Sequence, residues 1–127
     1  MNEEIYLLLK TARRRLLAAR GVVRRGYYEI TLHYYYLVTF YLMKALVLNE
    51  GFVSPKRAGY VAAFHRLCVN TDKAPRSYGR LVNELGDRTI KGIYKCRRIT
   101  RADVIKFGRF ASEFAAFVQN RIRYQGH

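Results

Sequence analysis

The residues best suited to bind a ligand form a basic run between positions 88 and 101. Six cations and no acid occur in this run: Arg88, Lys91, Lys95, Arg97, Arg98 and Arg101. An arginine can hold a phosphate through two donors at once, and each neutralised phosphate adds to a salt-dependent affinity. Tyr94 offers a ring on which an unpaired base can stack. The run predicts contact with RNA, single-stranded DNA or a nucleotide. A solvated basic surface, or one that docks an acidic protein, is the alternative.

The composition of the whole chain strengthens the nucleic-acid interpretation. The 127 residues include 24 Lys+Arg against 9 Asp+Glu, which gives a formal net charge of +15. Half of the residues are hydrophobic, so the chain is too apolar for a disordered basic tail. This length is typical of one domain, and we expect a single domain over residues 1–127.

The chain has three histidines, and none lies in an obvious catalytic arrangement. We interpret His33 as a core or interface side chain bonded to a neighbour, and His65 as a partly exposed surface side chain. Both are weak candidates for a general base. No two histidines share a helical face at ligand spacing, so we expect no metal site, and no phosphate-loop motif indicates a cofactor.

The two cysteines, Cys68 and Cys96, lie 28 residues apart with no metal-ligand neighbour. We expect both to be small buried thiols, because cysteine commonly behaves as a small apolar residue. A chain that needs no disulfide fits a reducing compartment, which predicts a cytoplasmic location. The apolar stretch 30–43 is too short to span a bilayer, and no membrane association is expected.

Hydrophobic spacing predicts five helices, which cover residues 3–20, 27–49, 55–70, 75–94 and 101–123. In the last helix the same spacing predicts five inward positions: Val104, Phe107, Ala111, Phe114 and Val118. Gly51 is placed to end the second helix, and Ser54 and Pro55 to begin the third. Thr100 and Asp103 resemble a capping box. Two helical ion pairs are expected at a spacing of four, Glu84 with Arg88 and Asp87 with Lys91.

The second predicted helix is apolar on nearly every side, including tyrosines at 34, 35, 36 and 41. Such a helix must be covered on most sides, so we expect it at the centre of the bundle or at a subunit interface. Consecutive tyrosines point in different directions on a helix, which favours packing over a stacking platform. The predicted fold class is all-α, an antiparallel up-and-down bundle of about five helices, in a homodimer.

Four segments in order resemble the HEPN family of small helical proteins, over about residues 10–123. The aromatic stretch 36–46, with its Lys-Ala-Leu ending, resembles the family's second helix. Residues 56–64, the element from Arg88 to Tyr94, and the Ala-x-x-Phe-Val pattern within 110–118 are similar to the family segments that follow. The resemblance implies a helical bundle that dimerises, and we place Lys56 and Arg57 with the 88–98 cations as phosphate-binding candidates.

Many HEPN proteins are metal-independent RNases that use an Arg followed, after four to six residues, by a His. From Arg88 this window contains Ile93, Tyr94 and Lys95, and no His. Arg121 and His127 have that spacing, but a chain end holds a base poorly. The missing His argues against the usual HEPN RNase, so the first hypothesis is a non-enzymatic binding module with a basic cleft between subunits. Two roles remain as alternatives: an RNase or toxin-like member beside a minimal nucleotidyltransferase, and a structural dimer that docks an acidic protein.

Overall fold

The computed structural model describes the backbone of residues 2–125 and the side chains of residues 2–123. It contains five α-helices in this part of the chain: α1 Glu3–Arg24, α2 Tyr28–Asn49, α3 Arg57–Phe64, α4 Arg76–Tyr94 and α5 Arg101–Gln125. A π-helical turn, His65–Val69, continues α3 without a break. The predicted all-α bundle is confirmed, and no strand occurs between residues 2 and 125.

α2 lies at the centre of the bundle and packs against each of the other helices. Ten of its residues are buried, among them Leu32, Val38 and Leu42. Tyr35 is buried, whereas Tyr34, Tyr36 and Tyr41 are half-buried, so the four tyrosines do not form one platform. The apolar character of α2 on all sides thus reflects its central position. None of the helices described here is long and apolar enough to cross a bilayer.

Rings from three helices fill the middle of the core. Phe110 and Phe114 of α5 stack with their ring centres 5.4 Å apart, and Tyr78 of α4 contacts both rings edge-on. The ring centre of Phe64, the last residue of α3, lies 5.7 Å from that of Phe114. The inward positions predicted for the last helix are all buried: Val104, Phe107, Ala111, Phe114 and Val118.

Most helix boundaries lie within two residues of the predicted ones, but the first helix continues past its predicted end at residue 20 to Arg24. Gly51 has a φ of 86° directly after the C-cap of α2, which confirms its predicted role. Thr100 and Asp103 form the predicted reciprocal cap: the Asp103 N–H donates to Thr100 Oγ1 at 3.2 Å, and the Thr100 N–H donates to Asp103 Oδ2 at 2.8 Å. The predicted start of the third helix at Pro55 is wrong by two residues. Ser54 Oγ accepts from the Lys56 N–H at 3.2 Å within a turn before the helix.

One of the two predicted helical ion pairs is wrong. Lys91 and Asp87 are 3.0 Å apart, as the spacing of four indicated. Glu84 instead binds Lys106 of α5 at 2.6 Å, and Arg88 binds Asp103. Both replacements join α4 to α5, because these charged side chains lie on the side of α4 that faces α5.

Candidate nucleic-acid interface

A tight turn at the end of α4 places three cations of the basic run on the surface. The N–H groups of Lys95 and Arg97 both donate to the carbonyl of Lys91, each at 3.1 Å. Cys96 lies between them with a φ of 53°, in the left-handed region that residues other than glycine seldom adopt. The turn ends α4 and directs the chain back toward α5.

Ile99 anchors the return of this segment against α4. Its side chain is 4% exposed, and it lies over Gly92. A Cβ at Gly92 would be 2.7 Å from Ile99 Cδ1, so any other residue at this position would force the buried Ile99 side chain to shift. The loop is therefore packed onto the helix that precedes it.

Arg88 fastens the same loop to the first turn of α5. Its Nη2 donates to Asp103 Oδ2 at 2.9 Å and to the carbonyl oxygen of Arg98 at 2.8 Å. Asp103 Oδ2 also accepts from the N–H and the hydroxyl of Thr100, at 2.8 and 3.0 Å. Burial acts to raise the pKa of Asp103, but the bonds from Arg88 and Thr100 outweigh it, and the net pKa lies below its ordinary value.

We define the cationic loop as residues 94–98. The side chain of Tyr94 is 79% exposed, and Lys95, Arg97 and Arg98 are exposed beside it. Within residues 2–123, none of these three cations forms an ion pair. The loop thus presents unpaired positive charge and an exposed ring on a backbone that is held in place.

The structure separates the other candidate cations from this loop surface. Arg88 is engaged beneath the loop, and Lys91 is paired with Asp87 at the exposed surface. Lys56 is exposed before α3, and the Arg57 guanidinium lies 4.9 Å from the centre of the Phe40 ring, in the middle of α2. Among the described residues, no hydrogen bond or ion pair joins Lys56 or Arg57 to the loop.

Arg24 and Arg25 are two exposed cations that the sequence reasoning missed. A cavity at one end of the bundle is lined by Arg20 and Val23 of α1 together with Val104 and Ile105 of α5. The end of α1 and the start of α5 therefore lie at the same end of the bundle as the cationic loop. The charge of these arginines was visible in the sequence, but their location at the same end of the bundle as the cationic loop depends on the folded topology.

The structure confirms one interpretation of the histidines and corrects part of the other. His65 is half-buried, and its Nε2 lies 3.1 Å from Asn83 Oδ1. This agrees with the prediction of a partly exposed surface side chain. His33 is exposed on α2, so the core interpretation is wrong. The interface interpretation of His33 stays a prediction. His127 lies outside the described residues.

The expectation of two buried thiols holds for only one cysteine. Cys68 is buried in the π-helical turn, whereas Cys96 is exposed in the cationic loop, because the turn at the end of α4 points outward. Both thiols are free. Among the described residues, no group of three His, Cys, Asp or Glu side chains is arranged to hold a metal ion.

The fold and this surface define a small helical bundle with an exposed basic loop at one end. The family model of the HEPN domain matches residues 5–121, and the chain belongs to the HEPN family. This family is usually linked to nucleic-acid binding or RNase activity, and its members often dimerise. A search of curated proteins gave no match.

Proposed function

We propose that this HEPN domain binds single-stranded nucleic acid, with RNA as the first candidate, through the cationic loop. The observation that carries the proposal is the clamp by Arg88, which bonds both to the loop backbone and to Asp103. A loop already held in one conformation loses less entropy when a ligand binds. Its exposed side chains can then contact phosphates at little cost in ordering the backbone.

Each residue of the loop has a separate role in this proposal. Lys95, Arg97 and Arg98 contact phosphates, and Tyr94 stacks on a base. Arg88 positions the loop through the carbonyl of Arg98, so we assign it a positioning role and no phosphate contact. The π-face of Tyr94 accepts any base, which favours a ligand with unpaired bases over a duplex.

The proposal includes a homodimer through the open face of α2, which we define as Ile30, His33, Tyr34, Leu37 and Tyr41. At 100° per residue these positions fall within an arc of about 100°. Ile30 and His33 are exposed and the other three are half-buried. A second copy placed on this face would cover apolar surface that one bundle leaves in water. Two cationic loops would then flank one interface.

The proposed role is binding without cleavage. His65 is bonded to Asn83, and His33 lies on the open face of α2. RNA incubated with the intact protein should stay full-length. Cleavage that is lost in the double variant His33→Ala, His65→Ala would overturn the non-enzymatic role and support the RNase alternative.

The binding proposal is tested by fluorescence anisotropy with a labelled single-stranded RNA of about 20 nucleotides and its duplex form. Arg97→Ala, Arg98→Ala should weaken binding about tenfold, equivalent to about 1.4 kcal/mol, and lower the salt slope by about 1.4, or 0.7 for each phosphate contact. The carbonyl that Arg88 binds is kept in this variant. Arg15→Ala, Arg80→Ala is the matched control, because both are exposed helical arginines outside the loop.

The ring of Tyr94 has its own matched test. Tyr94→Ala should weaken RNA binding by about 1–3 kcal/mol if the ring stacks on a base. Tyr6→Ala removes a ring that is 53% exposed on α1 and should leave the affinity nearly unchanged. Equal losses for the loop variants and their controls would show that binding depends only on net charge, and the assignment to the loop would be wrong.

A further inference from the structure

A second basic surface lies between α1 and α5, and none of the residues that line it belongs to the cationic loop. It is a groove of about 830 Å³ that begins near Tyr6 and extends to Arg20. Its floor is aliphatic and includes Leu9, Leu16, Ala115 and Ala116. Its edges carry Arg13, Arg14, Arg20 and Arg123, and no described residue that lines it is acidic. We call this surface the α1–α5 groove.

The groove exists because α1 packs closely on α2 and only loosely on α5. Ile5, Ala12 and Ala19, seven residues apart, are the buried positions of α1. Leu9 and Leu16, on the side toward α5, stay half-buried, and Leu17 is 50% exposed. The alanines of α5 opposite them are small, which leaves an unfilled space between the two helices.

The size of the groove fits an additional helix. The α1 residues from Tyr6 to Arg20 span about 21 Å at 1.5 Å per residue, which is the length of a helix of about four turns. A helix that docks on another bundle does so with apolar residues at spacings of three and four. The aliphatic floor can receive such a face.

We propose that the α1–α5 groove binds an acidic amphipathic helix of a partner protein. The apolar face of that helix covers the leucines and alanines of the floor, and its flanking carboxylates pair with Arg13, Arg20 and Arg123. Charge complementarity identifies this occupant, since all the lining charges are positive. The inference is independent of RNA binding by the cationic loop.

The same features exclude two other occupants. Nucleic-acid bases stack on aromatic rings, but the floor is aliphatic and only Tyr6 at one end supplies a ring. A second copy that presented the same groove would bring like charges face to face, since all the charged residues that line the groove are positive.

The test uses a labelled synthetic peptide of about 18 residues with leucines along one helical face and glutamates elsewhere. The control peptide has the same composition with the leucines rearranged so that no apolar face forms. At about 150 mM salt, where long-range attraction is screened, we expect the amphipathic peptide to bind about tenfold more tightly than the control. Equal binding of the two peptides, or no binding of either, would overturn the proposal.

Two substitutions of the same kind locate the binding site. Ala116→Glu places a larger, negative side chain in the groove and should weaken peptide binding about tenfold. Ala62→Glu makes the same change at another exposed helical alanine, on α3, and should change the affinity less than twofold. Arg20→Glu against Arg80→Glu repeats the comparison for the cationic edge. Circular dichroism melting shows that each variant folds.

The other occupants give distinct results with these variants. Loss of RNA binding in Ala116→Glu, but not in Ala62→Glu, would place nucleic acid in the groove. Dissociation of a dimer by Ala116→Glu, seen by analytical ultracentrifugation, would make the groove a contact between copies. Either result would overturn the acidic-helix proposal, whereas failure of RNA binding in all variants would affect only the proposed function.

Discussion

Arg88 and Asp103, fifteen residues apart in sequence, form an ion pair of 2.9 Å that joins the end of α4 to the first turn of α5. The same guanidinium nitrogen donates to the carbonyl of Arg98, so one side chain holds both the loop and the next helix. Arg88 lies in the segment that resembles the family's arginine element. In this protein Arg88 stabilises the cationic loop through its bonds to the Arg98 carbonyl and to Asp103.

The Arg88–Asp103 pair should make stability depend on pH in the acidic range. The pKa of Asp103 is held below its ordinary value of 3.8. The pair therefore adds to the free energy of unfolding above that pH, and this stabilisation is lost as the pH falls through the lowered pKa. Asp103→Asn should destabilise the protein near pH 6 by about 1–2 kcal/mol. Urea unfolding should show this difference shrinking below about pH 4. A difference that is constant from pH 6 to pH 2 would contradict the assignment.

Gly92 and Ile99 should show strong coupling in a double-mutant cycle. Gly92→Ala places a methyl group 2.7 Å from Ile99 Cδ1 and should cost about 1–2 kcal/mol, despite the higher helix propensity of alanine. Ile99→Val removes Cδ1 and should recover about 1 kcal/mol of that cost. Gly86→Ala is the control in the same helix, since its nearest neighbour would be 3.8 Å away, and it should stabilise the protein. Additive effects of Gly92→Ala and Ile99→Val would rule out this contact.

The two thiols should react at very different rates. Burial raises the pKa of the Cys68 thiol to about 11, with a further increase from Glu50, while Arg121 and Lys73 oppose it. Cys96 is exposed, so a thiol-reactive disulfide reagent should modify one cysteine quickly. Cys96→Ser should abolish the fast phase, and Cys68 should react fully only in denaturant. Two equally fast thiols in the folded protein would contradict the burial of Cys68.

The open face of α2 should control the oligomeric state. Leu37→Asp puts a charge in the middle of the proposed interface, where an unpaired carboxylate costs several kcal/mol, and should shift the dimer to a monomer. Ile105→Asp is the control, because Ile105 is a 50% exposed aliphatic residue on α5. Sedimentation equilibrium measures both. If Leu37→Asp sediments like the unsubstituted protein, then this face is not the dimer interface.

Helix positions and the core of α5 were predictable because they depend on local spacing. Apolar residues at intervals of three and four indicate the buried face whatever the partner is, and α5 buries each of its five predicted positions. The Thr100–Asp103 cap and the end of α2 at Gly51 were predictable for the same reason, since each depends only on residues close together in the sequence. The partners of charged side chains were less predictable, because Glu84 binds Lys106 on α5 and not Arg88, which lies one turn away on α4.

The sequence by itself determined an all-α HEPN bundle with a central apolar helix and an excess of positive charge, since patterning and composition act through neighbours along the chain. The tertiary structure decided which cations stay free. Arg88 forms an ion pair with Asp103, whereas Lys95, Arg97 and Arg98 are exposed on a turn that is held in place. It also created the α1–α5 groove, which depends on the distance between two helices that are nearly eighty residues apart. The ion pair and the groove form only when the helices pack, because each depends on residues that are far apart in the sequence.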